Sequence, residues 1–366
     1  MTYDGEITLR RLMADNGLDA IALVPGSNFR QIYRKSFYQN ERSLVVLLQC
    51  EGPSLAVVPA LEAASFDLLG FDGEVFHWRD NDGAGAAFAA LADHCSPQRI
   101  GVEGQTMRVM EHHGLKLAFP DAEIIDMHKA ISSALRLNKA DEDIALMRRA
   151  IAISENALKR TLGEVEIGQS ETEIESLLLK NLFAAGAEGM AFAPIVAAAD
   201  NSYRPHAKAR ADYRIKAGDA LLFDFGASFG GYMADITRTV FVGHCPDEAR
   251  AVYDTVLAAN SAGREAARPG ITAHDLDDIV LSVLEASPYS NFVRTKTGHG
   301  LGRDVHEDPY IMRGNHQALE PGMVFTIEPG LYLPDKFGVR IEDDVQITGI
   351  GAESLTNFER EVVVVG

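Results

Sequence analysis

The stretch LFDFGASFGGYMADITRT, residues 222–239, decides the fold of the C-terminal part of this chain. Its apolar opening, its glycine-rich centre and its β-branched continuation into ITRTVFV predict a β-hairpin whose turn is GASFGG. Asp224 stands on the first strand of this hairpin and Asp235 on the second. Two carboxylates on one face of a hairpin repel each other unless something neutralises them, so the pattern indicates a bound divalent cation.

The same pattern returns in TIEPGLYLPDKFGVRIEDDVQIT, residues 326–348, which predicts a second hairpin with Glu328 on its first strand and Glu342 on its second. Between the hairpins lies TGHGLGRDVHEDP, residues 297–309, which contains His299 and His306. His299 stands between two glycines, where the backbone can approach a ligand closely. Any one of these residues alone would most simply be a solvated acid or a structural histidine. Together, four carboxylates and a histidine are enough to hold two metal ions bridged by shared carboxylates.

A diverged internal repeat explains how acids so distant in sequence could meet. Residues 166–186 and 268–288 each predict a glycine, a Ser or Thr cap and an amphipathic helix. The other matching positions are Asp141 with Asp247 at an offset of 106, and Gly218 with Gly322 and Asp224 with Glu328 at an offset of 104. Two similar halves packed about a pseudo-two-fold axis would bring their hairpins together at the centre.

Composition limits the class of protein. A chain of 366 residues is long enough for two domains, and its formal net charge of −19 argues against nucleic acid as a partner. There is no apolar run near the length of a membrane span and no secretory signal, so no membrane association is expected. Three cysteines without a CxxC pair indicate free thiols in a reducing compartment, and we expect a cytoplasmic protein.

Residues 1–133 are expected to form an α/β domain. Apolar strands at 19–24, 43–49, 54–59 and 74–78, followed by strands at 99–104 and 122–127, alternate with helices and predict a mixed or parallel sheet covered by helices. No GxGxxG or GK[ST] loop follows any strand, so we assign this domain no chemistry of its own. Residues 134–366 are expected to form a second, α+β domain that carries the site.

In order and spacing, the motifs DFG…DITRT, GHGLGRDVHE, TIEPG and VRIED resemble those of the pita-bread metallopeptidases: methionine aminopeptidase, aminopeptidase P and prolidase. The resemblance covers the whole chain, because residues 1–133 are similar to the creatinase-like N-terminal domain of prolidases and aminopeptidases P. It implies a pita-bread, creatinase/aminopeptidase-like fold with an internal pseudo-two-fold repeat for residues 134–366. The leading domain disfavours methionine aminopeptidase, and the full set of acids disfavours creatinase.

The resemblance also implies a ligand for each metal ion. Asp224 would bind one ion, Asp235 and Glu342 would bridge both, and His299 and Glu328 would complete the shell of the other. One imidazole and four carboxylates form a hard, oxygen-rich set. We therefore expect two divalent ions, Mn²⁺ first, with Co²⁺ or Zn²⁺ as alternatives. Two such ions can lower the pKa of a bridging water, which the resemblance makes the nucleophile.

Four further residues have roles implied by the family, and Glu328 has a second one. The histidines that match His206 and His306 bind substrate or stabilise the tetrahedral intermediate, and the residues that match Tyr332 and Arg340 support the metal ligands. Glu328 would also shuttle a proton to the leaving nitrogen. The non-functional alternatives are a structural role for a histidine in a loop and, for Arg340, an ion pair on a strand.

The stretch VHEDPYIMRGN, residues 305–315, departs from the family. Many prolidases have an arginine shortly after VHE that holds the proline carboxylate, but here Tyr310 follows Pro309 and the next arginine is Arg313. Arg313 is the expected carboxylate-binding residue and Arg303 a weaker candidate, while Glu307 is a candidate for supporting the site. This departure leaves dipeptidase and aminopeptidase both open.

The resemblance therefore implies a binuclear metallopeptidase that cleaves the bond before proline in small peptides. Xaa-Pro dipeptidase (prolidase) is the first expectation and Xaa-Pro aminopeptidase the second, with a homodimer implied by the family alone. A hydrolase of a small non-peptide substrate shares the same metal chemistry and stays open. A non-enzymatic binding module, as in pita-bread domains that have lost their ligands, is the competing class, and the presence of all five ligand residues argues against it.

Overall fold

The computed structural model describes residues 4–366, which divide into two compact units with the boundary between Arg136 and Leu137. The N-terminal unit contains one six-stranded mixed sheet with the strand order β4-β3-β2-β1-β5-β6. Its strands are β1 Ala20–Leu23, β2 Val45–Gln49, β3 Ser54–Pro59, β4 Gly73–Trp78, β5 Arg99–Val102 and β6 Glu123–Asp126. Its helices are α1 Asp4–Asn16, α2 Ser27–Tyr33, α3 Ala63–Asp67, α4 Gly85–Ala90, α5 Val109–Ala118 and α6 His128–Arg136. The α/β domain predicted from the sequence is confirmed.

Successive side chains of strand β1 point to opposite faces of the sheet, so the sheet has an apolar core on each face. Ile21 and Leu23 pack with α1, α2 and α6 on one face, while Ala20 and Ala22 pack with α4 and α5 on the other. Helix α2 was not predicted, because the polar residues of SNFRQIY obscure its apolar side. Helix α5 begins only at Val109, since the backbone of Arg108 is still extended.

The C-terminal unit contains four long helices and fourteen short strands among its described residues. The helices are α7 Asp141–Leu162, α8 Glu171–Ala184, α9 Asp247–Ala266 and α10 Ala273–Glu285. The strands of its first half are β7 Gly189–Met190, β8 Ile195–Ala198, β9 Ala220–Phe225, β10 Ala227–Phe229, β11 Tyr232–Met233 and β12 Ile236–Val242. Those of its second half are β13 Gly298–Gly300, β14 Glu307–Ile311, β15 Val324–Ile327, β16 Gly330–Leu333, β17 Phe337–Arg340, β18 Asp343–Ile347, β19 Ala352–Ser354 and β20 Val364–Val365.

The internal repeat is visible in matched structural details. Gly218 and Gly322 share a φ of 91°, and each donates its N–H to the end of the partner strand, at Val242 and Ile347 respectively. Helices α8 and α10 are both capped as predicted, by the side chains of Ser170 and Thr272. These correspondences place the two halves of the unit in the same local conformation, as the sequence repeat predicted.

Each predicted hairpin is interrupted part of the way along. In the first, β9 pairs with β12, but β10 and β11 beyond it pair in another sheet and turn at Gly230 and Gly231. In the second, β15 pairs with β18, and β16 with β17, in separate sheets. Helices α7 and α9 each send a buried polar side chain to the interruption: Ser154 Oγ accepts from Ala227 N, and Asn260 Nδ2 donates to Ile327 O.

Two of these sheets carry the site. The sheet with the order β20-β12-β9-β8 contains the first hairpin, and the sheet with the order β14-β13-β15-β18-β19 contains the second. Among residues 4–366, no helix combines the length and the apolar character needed to cross a membrane.

Candidate metal centre

The first hairpin places its two aspartates on one side. Asp224 lies on β9 opposite Thr237 of β12. Asp235 precedes Thr237 by two residues, and the side-chain alternation of an extended strand turns both toward the same face. Both carboxylates are buried, with Asp224 8% and Asp235 4% exposed. The arrangement that the hairpin prediction required is therefore present.

The second hairpin supplies its glutamates at the point where it is interrupted. The pair Ile327 and Asp343 ends one ladder and the pair Gly330 and Arg340 begins the other, so Glu328 and Glu342 lie between them. The Glu328 N–H donates to the carbonyl oxygen of Thr297 at 2.7 Å. The interruption frees both glutamates from the regular ladder and lets their side chains converge.

Thr237 joins the two hairpins. Its hydroxyl donates to Glu342 Oε2 at 2.6 Å and accepts from Arg340 Nε at 3.0 Å, while its carbonyl oxygen accepts from the Glu342 N–H at 3.1 Å. Arg340 continues the chain of contacts: Nη2 pairs with Asp224 Oδ2, and Nη1 donates to Tyr332 Oη at 2.7 Å. Of the predicted supporting residues, Arg340 therefore holds Asp224 directly and is linked to Glu342 through Thr237, while Tyr332 contacts Arg340.

His299 lies on the short strand β13, where its Nε2 is 3.3 Å from Glu328 Oε1 and 3.7 Å from Asp235 Oδ2. Its Nδ1–H donates a hydrogen bond to the carbonyl oxygen of Gly300 at 3.2 Å, which leaves the Nε2 lone pair directed at the acids. Gly298 and Gly300, which flank His299, are needed because neighbouring backbone lies close to them, not because a ligand does. A Cβ at Gly298 would overlap the carbonyl oxygen of Thr326, and one at Gly300 that of Asp308.

The donor set fits divalent cations. Ligand atoms from Asp235, His299 and Glu342 all lie within 4.8 Å of one another. Asp224 Oδ1 and Asp235 Oδ1 are buried and have no hydrogen-bond partner. Buried carboxylate oxygens ordinarily have a partner, and a cation held by oxygen and imidazole donors would provide one.

The electrostatics of the cluster lead to the same conclusion. Burial, together with the charges of Glu342 and Asp224, raises the pKa of Asp235, and burial raises the pKa of Glu328 to about 7. Burial with the neighbouring carboxylates likewise raises the pKa of Glu342. Burial and the nearby His306 lower the pKa of His299 to about 3, so its imidazole is neutral. A bound cation would attract the carboxylates and make their ionised form the favoured one.

The cluster lies at one side of a cavity of about 670 Å³ within the C-terminal unit. His206 and His306 line this cavity beside the acids. The rings of His299 and His306 have centroids 3.9 Å apart, and burial lowers the pKa of His306. The remaining wall is formed by Phe192, Ile195, Pro205, Arg294, Thr295, Lys296, Val305 and Arg340.

Three predicted candidates lie elsewhere. Arg313 does not line the cavity: its guanidinium pairs with Asp278 and Glu285 of α10, because the chain leaves β14 toward that helix. Arg303 packs 4.2 Å over the ring of Tyr232. These positions do not support a carboxylate-binding role for either arginine.

Glu307 also lies outside the cavity wall and forms a buried ion pair with Lys139 at 2.7 Å. Because Glu307 follows His306 directly, the pair holds the start of β14 in place. Its contribution to the site is therefore through the backbone that carries His306.

Other residues at the site were not predicted. Lys296 and Arg294 line the cavity, and the signal was available: two cations, two residues apart, precede His299 in VRTKTGHG. Glu171 is fully buried and accepts hydrogen bonds from Ala198 N, Asn201 Nδ2 and Arg210 N. It therefore fixes both ends of the segment that carries His206, although it lies on helix α8, where an acid near the N-terminus is ordinary.

Comparison with known proteins identifies both parts of the chain. The model of metallopeptidase family M24 matches residues 145–349, and the creatinase/prolidase N-terminal domain matches residues 8–137. A protein named Xaa-Pro dipeptidase from Pyrococcus furiosus is 36% identical over 267 residues, which cover 73% of this chain and 76% of the relative.

Two solved structures are also similar over the chain. A prolidase from Thermococcus sibiricus has a TM-score of 0.92 and 33% identity, with 100% of each chain covered. An X-Pro aminopeptidase from Thermotoga maritima has a TM-score of 0.83 and 30% identity, with 98% of this chain and 99% of that chain covered. The creatinase-like and pita-bread domains predicted from the motifs are confirmed, and the chain belongs to metallopeptidase family M24: it is a peptidase whose family implies divalent metal ions.

Proposed function

We propose that this peptidase hydrolyses Xaa-Pro dipeptides, with two divalent metal ions, Mn²⁺ first among them. The observation that carries the proposal is the pair of buried, unpartnered oxygens Asp224 Oδ1 and Asp235 Oδ1, placed among two further carboxylates and His299. The cavity beside them, of about 670 Å³, is in the usual range for small-molecule sites. Relatives and structures named as Xaa-Pro dipeptidase or prolidase support the choice of substrate.

The five predicted ligands would divide between the two ions. Asp224 would hold one, Asp235 and Glu342 would be shared, and His299 and Glu328 would hold the other. When bound, such ions neutralise the acids, polarise the scissile carbonyl and make water a stronger nucleophile near neutral pH. The Arg340 contacts keep Asp224 oriented, and Thr237 does the same for Glu342.

The chain's own residues would carry the proton and orient the peptide. Glu328 lies at the edge of the cluster and faces the cavity, where it can hold a proton for the leaving nitrogen. The proline nitrogen has no N–H in the peptide and must gain a proton when the bond breaks. His206 and His306 line the same cavity and can donate hydrogen bonds to the carbonyl oxygen as it gains charge.

Xaa-Pro aminopeptidase is the second candidate, because the similarity to the aminopeptidase structure from Thermotoga maritima also spans nearly the whole chain. The two activities differ in the chemical group on the carboxyl side of proline. A dipeptidase needs a partner for the free proline carboxylate, whereas an aminopeptidase leaves that end of the site open for a longer chain.

Hydrolysis of Met-Pro beside Met-Pro-Gly tests the proposal. Chelator-stripped protein would be assayed with Mn²⁺, Co²⁺ or Zn²⁺ restored, and Asp235→Ala would serve as the variant that lacks a shared ligand. We expect cleavage of Met-Pro with Mn²⁺ and no turnover by Asp235→Ala. Cleavage of Met-Pro-Gly would favour the aminopeptidase. If neither peptide were cut with any ion, a hydrolase of a small non-peptide substrate would become the better hypothesis.

The homodimer and the cytoplasmic location stay predictions. Sedimentation of the purified protein would test the first, and cell fractionation would test the second.

A further inference from the structure

Lys296 and Arg294 give the cavity two cationic side chains that the metal cluster does not use. They lie in the segment just before β13, and both line the cavity. Over residues 4–366, neither side chain forms a hydrogen bond or a direct ion pair with an acidic residue. The cavity wall therefore carries positive charge that no protein group neutralises by contact.

Lys296 is the better placed of the two. Arg294 is exposed, whereas Lys296 is half-buried and its Nζ lies 5.3 Å from the ring centroid of Tyr310 on β14. An aromatic face at this distance attracts an ammonium group and limits where it can go. Burial has the largest effect on both neighbouring groups, lowering the pKa of His306 and raising that of Glu328. The positive charge of Lys296 lowers both pKa values as well, so its ammonium group lies near these two residues.

The charge balance changes when metal is bound. Without it, Lys296 shares the cavity with four carboxylates, and its positive charge acts on Glu328. Two divalent cations would cancel those carboxylate charges, and Arg340 is already paired with Asp224. Lys296 would then be a cation with no local counter-charge, directed into the space that a substrate must occupy. An anionic group on the substrate is the partner that this position lacks.

We propose that Lys296 binds the free carboxylate of the proline residue and thereby favours dipeptides over longer chains; this inference rests on the proposed Xaa-Pro activity. Tyr310 positions Lys296 through its ring face. Arg313 cannot take this role in the observed conformation, because two acids of α10 hold its guanidinium. A residue added after proline would place a neutral amide at Lys296 and move the carboxylate by about 3.5 Å.

The test compares Met-Pro, which has a charged carboxylate on proline, with Met-Pro amide, which has a neutral carboxamide of similar size there. We expect the Mn²⁺-loaded wild-type enzyme to favour Met-Pro by roughly 10- to 100-fold in kcat/KM, mainly through KM. Lys296→Met should lose this preference and leave the amide almost unaffected, while Lys296→Arg should keep most of it. Lys336→Met is the matched control, because Lys336 forms an exposed ion pair with Glu248 and does not line the cavity.

A second readout does not require turnover. L-proline at millimolar concentration should stabilise the Mn²⁺-loaded wild-type protein against heat more than L-prolinamide does, and Lys296→Met should remove the difference. If Lys296→Met keeps the preference for the carboxylate, or if Arg294→Met is the variant that loses it, the proposal for Lys296 is wrong while the Xaa-Pro activity stands.

The proposed Xaa-Pro activity can also fail while the proposal for Lys296 stands. If the wild-type enzyme cleaves neither compound, the proposed function fails. Selective stabilisation by L-proline that depends on Lys296 would then still support carboxylate binding by Lys296. Equal stabilisation by L-proline and L-prolinamide would overturn that proposal.

Discussion

The hydroxyl of Thr237 donates a 2.6 Å hydrogen bond to Glu342 Oε2, and this contact joins the two hairpins that supply the acids. The same oxygen accepts from Arg340 Nε at 3.0 Å. Thr237 has no exposed surface, so neither partner can substitute water for the hydroxyl. One side chain thus orients a proposed shared metal ligand and the arginine that holds Asp224.

We predict that Thr237→Val weakens metal binding by roughly 10- to 100-fold with little change in fold, since valine keeps the shape and removes the hydroxyl. The unsatisfied Arg340 Nε should also cost about 1–3 kcal/mol of unfolding free energy. Calorimetric titration with Mn²⁺ and urea unfolding would measure the two effects. Thr255→Val on helix α9 is the matched control, because its hydroxyl bonds to Ala251 O within its own helix. Equal Mn²⁺ affinity in both variants would contradict the role of Thr237.

The metal-free protein should lose stability as pH rises from about 4.5 to 7. Burial raises the pKa of Glu328 to about 7 from its ordinary value of 4.5, so across this window the unfolded chain releases a proton that the folded chain keeps. The unfolded state then binds fewer protons, and the free energy of unfolding falls with pH, by about 3 kcal/mol for a shift of this size. Asp235 and Glu342, whose pKa values are also raised, act in the same direction, whereas His299, whose pKa is lowered to about 3 from 6.5, opposes the fall below pH 6.5 and offsets part of it.

Mn²⁺ should reverse this trend, because it binds the deprotonated ligands and its affinity grows as they ionise. Urea unfolding at several pH values, with chelator or with Mn²⁺, would show the two slopes. Glu328→Gln should reduce the fall in metal-free stability, since glutamine has no proton to lose. A metal-free stability that rises through this window, and is unchanged in Glu328→Gln, would contradict the burial of an ionisable cluster.

The acids and histidines that line the cavity were largely predictable, and its cationic wall was not. Asp224 and Glu342 could be recognised because acids on apolar strands are costly unless something neutralises them. Lys296 was missed because its only signal was two cations shortly before His299, and a lysine in a polar loop is ordinary until the fold places it beside the acids. Arg313 shows the converse error. It was chosen as the first arginine after the VHE motif, but nearness in sequence does not say toward which neighbour a chain turns after a strand ends.

The sequence pattern also could not predict that each hairpin is interrupted. The alternation of apolar residues predicts which strands pair, and β9 with β12 and β15 with β18 do pair. It does not show where pairing stops, because that depends on tertiary contacts such as those of Ser154 and Asn260 with the interrupted backbone. Glu328 and Glu342 converge because of these interruptions.

Glu171 should matter for activity although it lies outside the cavity. Its carboxylate holds Ala198 and Arg210, which bracket the segment that carries His206. We predict that Glu171→Gln lowers kcat by at least tenfold and costs about 2–4 kcal/mol of stability, because a buried ionic contact loses one charge. Steady-state kinetics and urea unfolding would measure both. Glu173→Gln is the control, since Glu173 lies on the same helix with an exposed ion pair to Arg214. If the Glu171→Gln enzyme, although destabilised, turns over at the wild-type rate, Glu171 does not position His206.

Gly218 and Gly322 occupy equivalent turns, yet substitution should affect them unequally. Both have a φ of 91°, so alanine at either position should cost about 1–2 kcal/mol from backbone strain alone. A Cβ at Gly322 would lie 3.1 Å from the carbonyl oxygen of Lys139, which is backbone held by the Lys139 N–H bond to Gly322 O. At Gly218 the nearest atom, at 3.2 Å, belongs to the ring of His244, which can rotate away. We therefore predict that Gly322→Ala lowers the free energy of unfolding more than Gly218→Ala does, by about 1 kcal/mol. Urea unfolding of the two variants in parallel would decide this, and a larger loss in Gly218→Ala would mean that the backbone near Lys139 yields more easily than the packing around His244.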